Sequence, residues 1–150
     1  MGVISHMGRV NGRRLTVLLF LVMAPALMGM GSMGGSGTPD KIPLPAKKFT
    51  ALVIDQLDVD TEIREISIEG RTFLEGKKGE GTFTIAFEKI KTITFLMKDG
   101  KLYGAVLLQD GNTEQLSLNK GQKIFGRTPY GTFQITLGEM KRTTFTGYGK

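Results

Sequence analysis

Two stretches of the chain carry the same alternation of hydrophobic and polar positions. In GTFTIAFEKIKTITF (residues 81–95), every second residue from Phe83 to Phe87 is apolar, which is typical of a strand with one buried face. GTFQITLGEMKRTTF (residues 131–145) repeats this pattern 50 residues later, with seven of fifteen positions identical. In each copy a short polar turn leads into a second strand. A repeat of this period is expected to set the architecture.

The phenylalanines that open and close each copy are predicted to point inward: Phe83, Phe95, Phe133 and Phe145. The second copy differs from the first where Thr143 replaces Ile93. By the alternation of the strand, Thr143 should point inward like Phe145, although it is polar. We therefore expect the second copy either to bend there or to end at an edge.

The repeat extends beyond these two stretches. Phe49–Asp55 and Leu102–Leu108 are apolar runs that predict equivalent buried strands. Ser67-Ile68 and Ser117-Leu118 lie 50 residues apart, which predicts that they too are equivalent. Lys98-Asp99-Gly100 predicts a hairpin turn that joins the two halves. Apolar residues show no helical period of 3.6 anywhere after the leader.

The predicted fold class is therefore all-β, with a duplicated unit of five strands. The β domain is placed at residues 47–150, with its two halves at 47–97 and 98–146. A half of about 50 residues would be marginally stable alone, because so short a chain buries too little apolar surface. We expect the halves to merge into one small barrel or sandwich, with two separate mini-barrels as the alternative.

Each half resembles the small β-barrel modules of the SH3-like and Sm-like families. FTIAFEKIKTITF carries the resemblance, because Glu88-Lys89-Ile90 predicts a one-turn link between the last two strands. Residues 41 to 146 are also similar to uncharacterised exported β-repeat proteins of bacteria. These resemblances imply a fold class and no catalytic residue. The RNA binding of Sm-like proteins is not carried over, since no aromatic-plus-basic loop motif is present.

Residues 1–26 predict a secretory signal peptide. Three arginines and no acid precede the apolar run LTVLLFLVM, and Ala24-Pro25-Ala26 offers a cleavage motif. Cleavage is expected between residues 26 and 31. An uncleaved anchor is the alternative and the only predicted membrane contact, but the run is shorter than the roughly 20 apolar residues that span a bilayer.

Residues 27–46 are rich in glycine, methionine and proline and predict a flexible linker. The leader before this segment predicts export from a bacterial cell, to the periplasm or beyond.

Composition narrows the chemistry of the exported part. The formal net charge of +6 falls to +3 after the leader, with 17 basic and 14 acidic residues, so nucleic-acid binding is not expected. The chain has no cysteine, and its one histidine, His6, lies in the leader. Serine–histidine catalysis, cysteine nucleophiles and the common zinc sites are therefore excluded. We predict no enzyme activity and no cofactor.

Two groups of charged residues are candidate binding sites. DQLDVDTE places four carboxylates on one turn, a pattern that hard cations such as calcium favour: Asp55, Asp58, Asp60 and Glu62. A solvated acidic turn is the alternative interpretation. Five basic residues are candidate contacts for an anion or a partner: Lys77, Lys78, Arg127, Lys141 and Arg142.

The functional hypothesis is an exported, non-enzymatic binding or assembly module of the bacterial cell envelope. Its partner would be a protein or another envelope component, recognised through exposed strand edges or hairpin tips. A calcium- or polyanion-binding envelope protein is the alternative. A small carboxylate-based hydrolase is a third, and it would require two converging acids in a cleft.

Overall fold

A computed structural model of the protein describes residues 42–149. The predicted signal peptide and most of the predicted linker lie outside the described residues. Ten strands follow one another: β1 Lys48–Asp55, β2 Asp60–Ile68, β3 Phe73–Lys78, β4 Gly81–Ala86, β5 Ile90–Lys98, β6 Lys101–Leu108, β7 Thr113–Leu118, β8 Lys123–Thr128, β9 Gly131–Thr136 and β10 Met140–Gly149. The all-β prediction is confirmed.

In each half, one short 3₁₀ turn links the last two strands. Phe87–Lys89 joins β4 to β5, and Leu137–Glu139 joins β9 to β10, so both links lie where the repeated motif predicts them. Each turn buries its first residue, Phe87 or Leu137, in the core. None of the helical segments within residues 42–149 has the length and apolar character needed to cross a membrane.

Local sequence accounts for the strands and their turns. In β1, alternate side chains are buried and face the core, as the apolar run predicts. The turn between β5 and β6 uses Asp99 and Gly100 with φ of 52° and 73°, because two-residue hairpins need left-handed residues that match the strand twist. The predicted hairpin at this position is confirmed.

All ten strands form one antiparallel, curled half-barrel sheet in the order β4-β3-β7-β6-β5-β10-β1-β2-β8-β9. The counterparts in the two halves are β1 and β6, β2 and β7, β3 and β8, β4 and β9, and β5 and β10. When each strand is replaced by its counterpart, the strand order is the same order read from the other end of the sheet. The sheet therefore has an approximate two-fold axis between β5 and β10, where Ile93 lies opposite its own counterpart Thr143.

The two halves exchange strands. The β3–β4 hairpin of the first half pairs with β7 of the second, and the β8–β9 hairpin pairs with β2 of the first. Likewise β1 pairs with β10, and β6 with β5. One hydrophobic cluster contains the buried residues of both halves. The prediction of a merged domain is confirmed, because neither half contains its own complete set of neighbouring strands.

Two equivalent glycines stand where the exchanged hairpins cross. A Cβ atom at Gly76 would lie 2.8 Å from Leu116 Cβ, and a Cβ atom at Gly126 would lie 2.9 Å from Ile63 Cβ. Both glycines are buried in the sheet. The backbone of each hairpin can approach the other half this closely because no side chain intervenes.

Pairing corrects one detail of the repeat. Ile63 lies opposite Ala51 and Leu116 opposite Gly104, so these two positions are equivalent at an offset of 53 residues rather than 50. The predicted equivalence of Ser67 and Ser117 is therefore wrong. The first copy has three extra residues between Ile63 and Phe73. One of them forms a bulge of β2 between Arg64 and Ser67, where Glu65 has a φ of 53°, and the other two precede β3.

Three of the four predicted inward phenylalanines face the core. Phe95 is buried, and Phe133 and Phe145 are partly buried against the cluster. Phe83 shares a face of β4 with the buried Ile85 but is 40 % exposed, so the prediction that it lies in the core is wrong. It lies on the last strand of the sheet and opposite Gly76, where β3 offers no side chain to cover it.

Candidate functional site

The predicted acidic turn is held by its own backbone. Asp55 Oδ1 accepts hydrogen bonds from the N–H groups of Leu57 at 2.8 Å and Val59 at 3.0 Å. Asp58 has a φ of 61° and bonds through its carboxylate to Lys141. Two of the four predicted ligands therefore already serve the turn and an ion pair.

The other two predicted ligands, Asp60 and Glu62, lie exposed on β2, opposite Ile54 and Leu52 of β1. No group of three or more histidine, cysteine, aspartate or glutamate side chains within residues 42–149 could hold a metal ion. The structure does not bring the four carboxylates together as a coordination site.

The five predicted basic contacts are spread over three places. Lys77 and Lys78 end β3, where Lys78 Nζ lies 2.5 Å from Glu114 Oε2. Arg127 lies on β8, and its Nε is 3.0 Å from Glu65 Oε2. Lys141 and Arg142 follow Met140 at the start of β10, beside the acidic turn. Since three of the five have acidic partners, they do not form one continuous anion-binding patch.

The edge strand β4 combines an exposed aromatic side chain, Phe83, with an unpaired edge of the sheet. It pairs with β3 on one side and is the last strand of the sheet on the other. Its first four residues, Gly81 to Thr84, are exposed, and the strand sequence GTFTIA contains no charged residue and no proline. Soluble proteins commonly protect such edges with lysine, proline or a covering loop, because an unpaired strand invites another strand to add.

A groove of about 500 Å³ runs beside β4. Phe83 and Ile85 of β4 form one wall, and Leu108 at the end of β6 belongs to the other. Lys89, Asp110 and Glu114 place charges at its rim. Apolar pockets next to an edge strand are where an added strand places alternate side chains.

Asp110 is fixed at this rim by the turn that follows β6. Its carboxylate accepts hydrogen bonds from the backbone N–H of Asn112 at 2.9 Å and from the Asn112 side chain at 3.0 Å. These bonds, the backbone bond first, lower the pKa of Asp110 below its ordinary value. The rim therefore holds a fixed negative charge at neutral pH.

Two equivalent glutamines fasten the turns beside the grooves. Gln109 donates from its backbone N–H to Lys89 O at 2.9 Å and from Nε2 to Ile90 O at 3.1 Å. Gln56 makes the same two bonds to Glu139 O at 3.0 Å and Met140 O at 2.7 Å. Gln56 therefore connects the β1–β2 turn of the first half to the 3₁₀ turn after β9 in the second half. Gln109 connects the β6–β7 turn of the second half to the 3₁₀ turn after β4 in the first half.

Sequence reasoning missed these glutamines. They are identical residues 53 apart, directly after equivalent strands, but an alignment with a uniform offset of 50 residues does not place them opposite each other. A second groove lies between the turn that contains Gln56 and the edge strand β9. Leu57 and Ile135 are among the residues that line it.

An aromatic cluster closes the core near the end of β10. The Phe49 ring lies 5.6 Å from Phe87 and 4.9 Å from Tyr148, measured between centroids. Beside it, Lys47 bonds to Glu88, which raises the pKa of Lys47 and lowers the pKa of Glu88. The cavity here is about 200 Å³ and is smaller than the groove beside β4.

Comparison with known proteins gives one match. A family model described as "Uncharacterised protein" matches residues 45–147, which is more than half of the chain and spans nearly all ten strands. No curated protein matches the chain. No solved structure matches it either.

Proposed function

We propose that this chain, which belongs to the family described as "Uncharacterised protein" over residues 45–147, is a non-enzymatic binding or assembly module. Its recognition surface is the edge strand β4 together with the adjacent groove. The partner is a polypeptide that adds an extended strand to this edge. The module is exported by its leader and works in the bacterial cell envelope.

The observation that carries this proposal is the open, uncharged edge of β4. An antiparallel strand added there would satisfy the outward N–H and C=O groups of β4 and cover Phe83, which is 40 % exposed. The groove would then receive side chains from the added strand. Main-chain bonds supply affinity in this mode of recognition, and the groove supplies selectivity.

We further propose that each half derives from an SH3-like or Sm-like small-barrel unit. Five strands in each half, with a 3₁₀ turn between the fourth and fifth, support this origin. In this proposal, the exchange of hairpins between the halves opened the two small barrels into one sheet. That opening would leave β4 and β9 as its ends, which explains why the recognition edges exist.

Export is tested by expressing the full chain in a Gram-negative bacterium and fractionating the cells. We expect the protein in the periplasm or the medium, with a mass that corresponds to cleavage between residues 26 and 31. Intact protein in the cytoplasm would contradict the export part of the proposal and leave strand recognition open.

Strand recognition is tested with three immobilised proteins: the wild type, Thr84→Pro and Gln134→Pro. Proline removes a backbone N–H and blocks strand addition at β4 in the first variant and at β9 in the second. A partner from envelope extract should bind the wild type and Gln134→Pro and should be lost from Thr84→Pro. Hydrogen exchange of that complex should then show protection of the β4 amides. Partners that bind all three proteins equally would refute the β4 edge as the recognition surface.

A further inference from the structure

We propose that the strand added to β4 is the β4 strand of a second copy of this chain, so that two copies form a symmetric antiparallel dimer. This inference rests on the proposed function, since it names the partner for the same edge. Its three supports are the hydrogen-bonding direction along β4, the register of its side chains and the absence of charge on the strand.

The hairpin between β3 and β4 determines which backbone groups face outward. Lys78 lies opposite Gly81 across a two-residue turn whose first residue, Gly79, has a φ of 63°. The residues that flank such a turn form a hydrogen-bonded pair, and such pairs alternate along an antiparallel ladder. Gly81, Phe83 and Ile85 therefore bond to β3. The N–H and C=O groups of the alternate residues point away from the sheet: Thr82, Thr84 and Ala86.

If the two-fold axis of the dimer passes beside Thr84, all three outward-facing residues form hydrogen bonds to the second copy. This axis places Thr84 opposite Thr84 of the second copy and Thr82 opposite Ala86, each as a hydrogen-bonded pair. On the core-facing side of the strand, Phe83 then lies opposite Ile85 in both directions. The dimer therefore covers the exposed ring of Phe83 with an apolar side chain of the other copy.

A strand that pairs with itself must tolerate its own side chains directly across the axis. Like charges opposite each other are destabilising in a sheet, and β4 contains none. Charges adjoin the strand only at its two ends, at Glu80 and at Glu88 and Lys89. In this register Glu80 of one copy lies opposite Glu88 of the other, in the turn that also carries Lys89. Glu88 is already bonded to Lys47 of its own copy, so the two glutamates do not meet as unpaired like charges.

The second edge of the sheet is a weaker candidate for the same role. On β9, Phe133 and Ile135 are already partly buried against the core, whereas Phe83 at the position equivalent to Phe133 is exposed. Pairing at β9 would therefore cover less apolar surface. The equivalent position to Thr84 is Gln134, which is also exposed and provides a matched control.

The chain contains no cysteine, so a single introduced thiol reports the contact directly. In a hydrogen-bonded antiparallel pair the Cα atoms are about 5.5 Å apart, within the range of about 4.4–6.8 Å that a disulfide requires. Under mild oxidation at micromolar concentration, Thr84→Cys should convert mainly to a covalent dimer. Gln134→Cys, with a comparably exposed thiol, should stay largely monomeric.

Light scattering after size exclusion provides the second measurement. The wild type and Gln134→Pro should have twice the mass of Thr84→Pro. Because the N–H of Thr84 points outward, proline there removes no bond to β3. Thr84→Lys is a second blocking variant, which places two lysines opposite each other at the axis and should also give a monomer.

Three results would overturn the dimer. The first is a wild type that remains monomeric up to millimolar concentration. The second is equal cross-linking of Thr84→Cys and Gln134→Cys. The third is loss of association in both Thr84→Pro and Gln134→Pro, which would indicate head-to-tail pairing of β4 with β9. A monomeric wild type that binds an envelope protein in a Thr84-dependent manner would refute the dimer but keep the proposed function. A monomer without any such partner would refute both.

Discussion

Replacing Thr143 by valine should stabilise the protein. Thr143 is 1 % exposed, and its hydroxyl has no hydrogen-bond partner within the described part of the chain. It lies on β10 between Val53 of β1 and Ile93 of β5, in the middle of the sheet. Its counterpart in the first half is Ile93, so the same environment on the other side of the axis holds an aliphatic side chain.

The magnitude follows from the cost of burying an unpaired hydroxyl. Mutational data place that cost at about 1–3 kcal/mol, and valine keeps the branched shape while removing the hydroxyl. We expect Thr143→Val to raise the free energy of unfolding by about 1–2 kcal/mol. For a domain of this size, each kcal/mol corresponds to about 4 °C in Tm.

The assay is reversible urea or thermal unfolding followed by circular dichroism. Thr94→Val on β5 is the control, because Thr94 is exposed and its substitution should change stability by less than about 0.5 kcal/mol. Thr143→Ser separates the contribution of the hydroxyl from that of the methyl group. It keeps the hydroxyl and deletes a buried methyl group, so it should destabilise the protein. A Thr143→Val protein no more stable than the wild type would show that the hydroxyl is hydrogen-bonded in solution and would refute the reasoning.

Three further predictions concern two contacts between the halves and one ion pair within the first half. Gly76→Ala should destabilise by about 1–3 kcal/mol in urea unfolding, because its Cβ would overlap Leu116 and Ser117 O. Gly81→Ala is the control, because a Cβ there has room and should cost less. Equal effects of the two substitutions would contradict the close crossing at Gly76. Gln109→Ala should cost about 1 kcal/mol in the same assay, since Ile90 O loses a donor; an unchanged midpoint would show that water replaces the bond. The pair of Lys47 and Glu88 should stabilise only slightly, because both groups are exposed. Since the pKa of Glu88 is lowered, its contribution is present above the ordinary glutamate pKa and is lost as pH falls through the lowered value. The difference in Tm between the wild type and Glu88→Gln should therefore shrink in acid, and a constant difference would contradict the pairing.

The candidate site could be predicted only in general terms. Exposed strand edges follow from any sheet that does not close, so the sequence favoured them as recognition surfaces. It did not identify β4, because the exposure of Phe83 depends on which strand lies last and on Gly76 in the neighbouring strand. The acidic turn illustrates the opposite error. Its carboxylates are adjacent in sequence, but the Asp55 side chain is used by the backbone N–H groups of its own turn.

The sequence by itself determined the all-β class, the duplication, most strands and the two 3₁₀ links. These properties are local, because the alternation of apolar residues and the turn residues between strands act over a few neighbouring positions. The merged core was also predictable, since halves of about 50 residues bury too little surface alone.

Only the tertiary structure decided which half each hairpin joins. Both copies present nearly the same strands, so a hairpin fits the opposite half as well as its own, and local pattern does not distinguish the two pairings. The exchange instead depends on contacts between residues distant in the chain, such as Gly76 with Leu116 and Gly126 with Ile63. That exchange places β4 and β9 at the ends of the sheet and so creates the edge on which the proposed function depends.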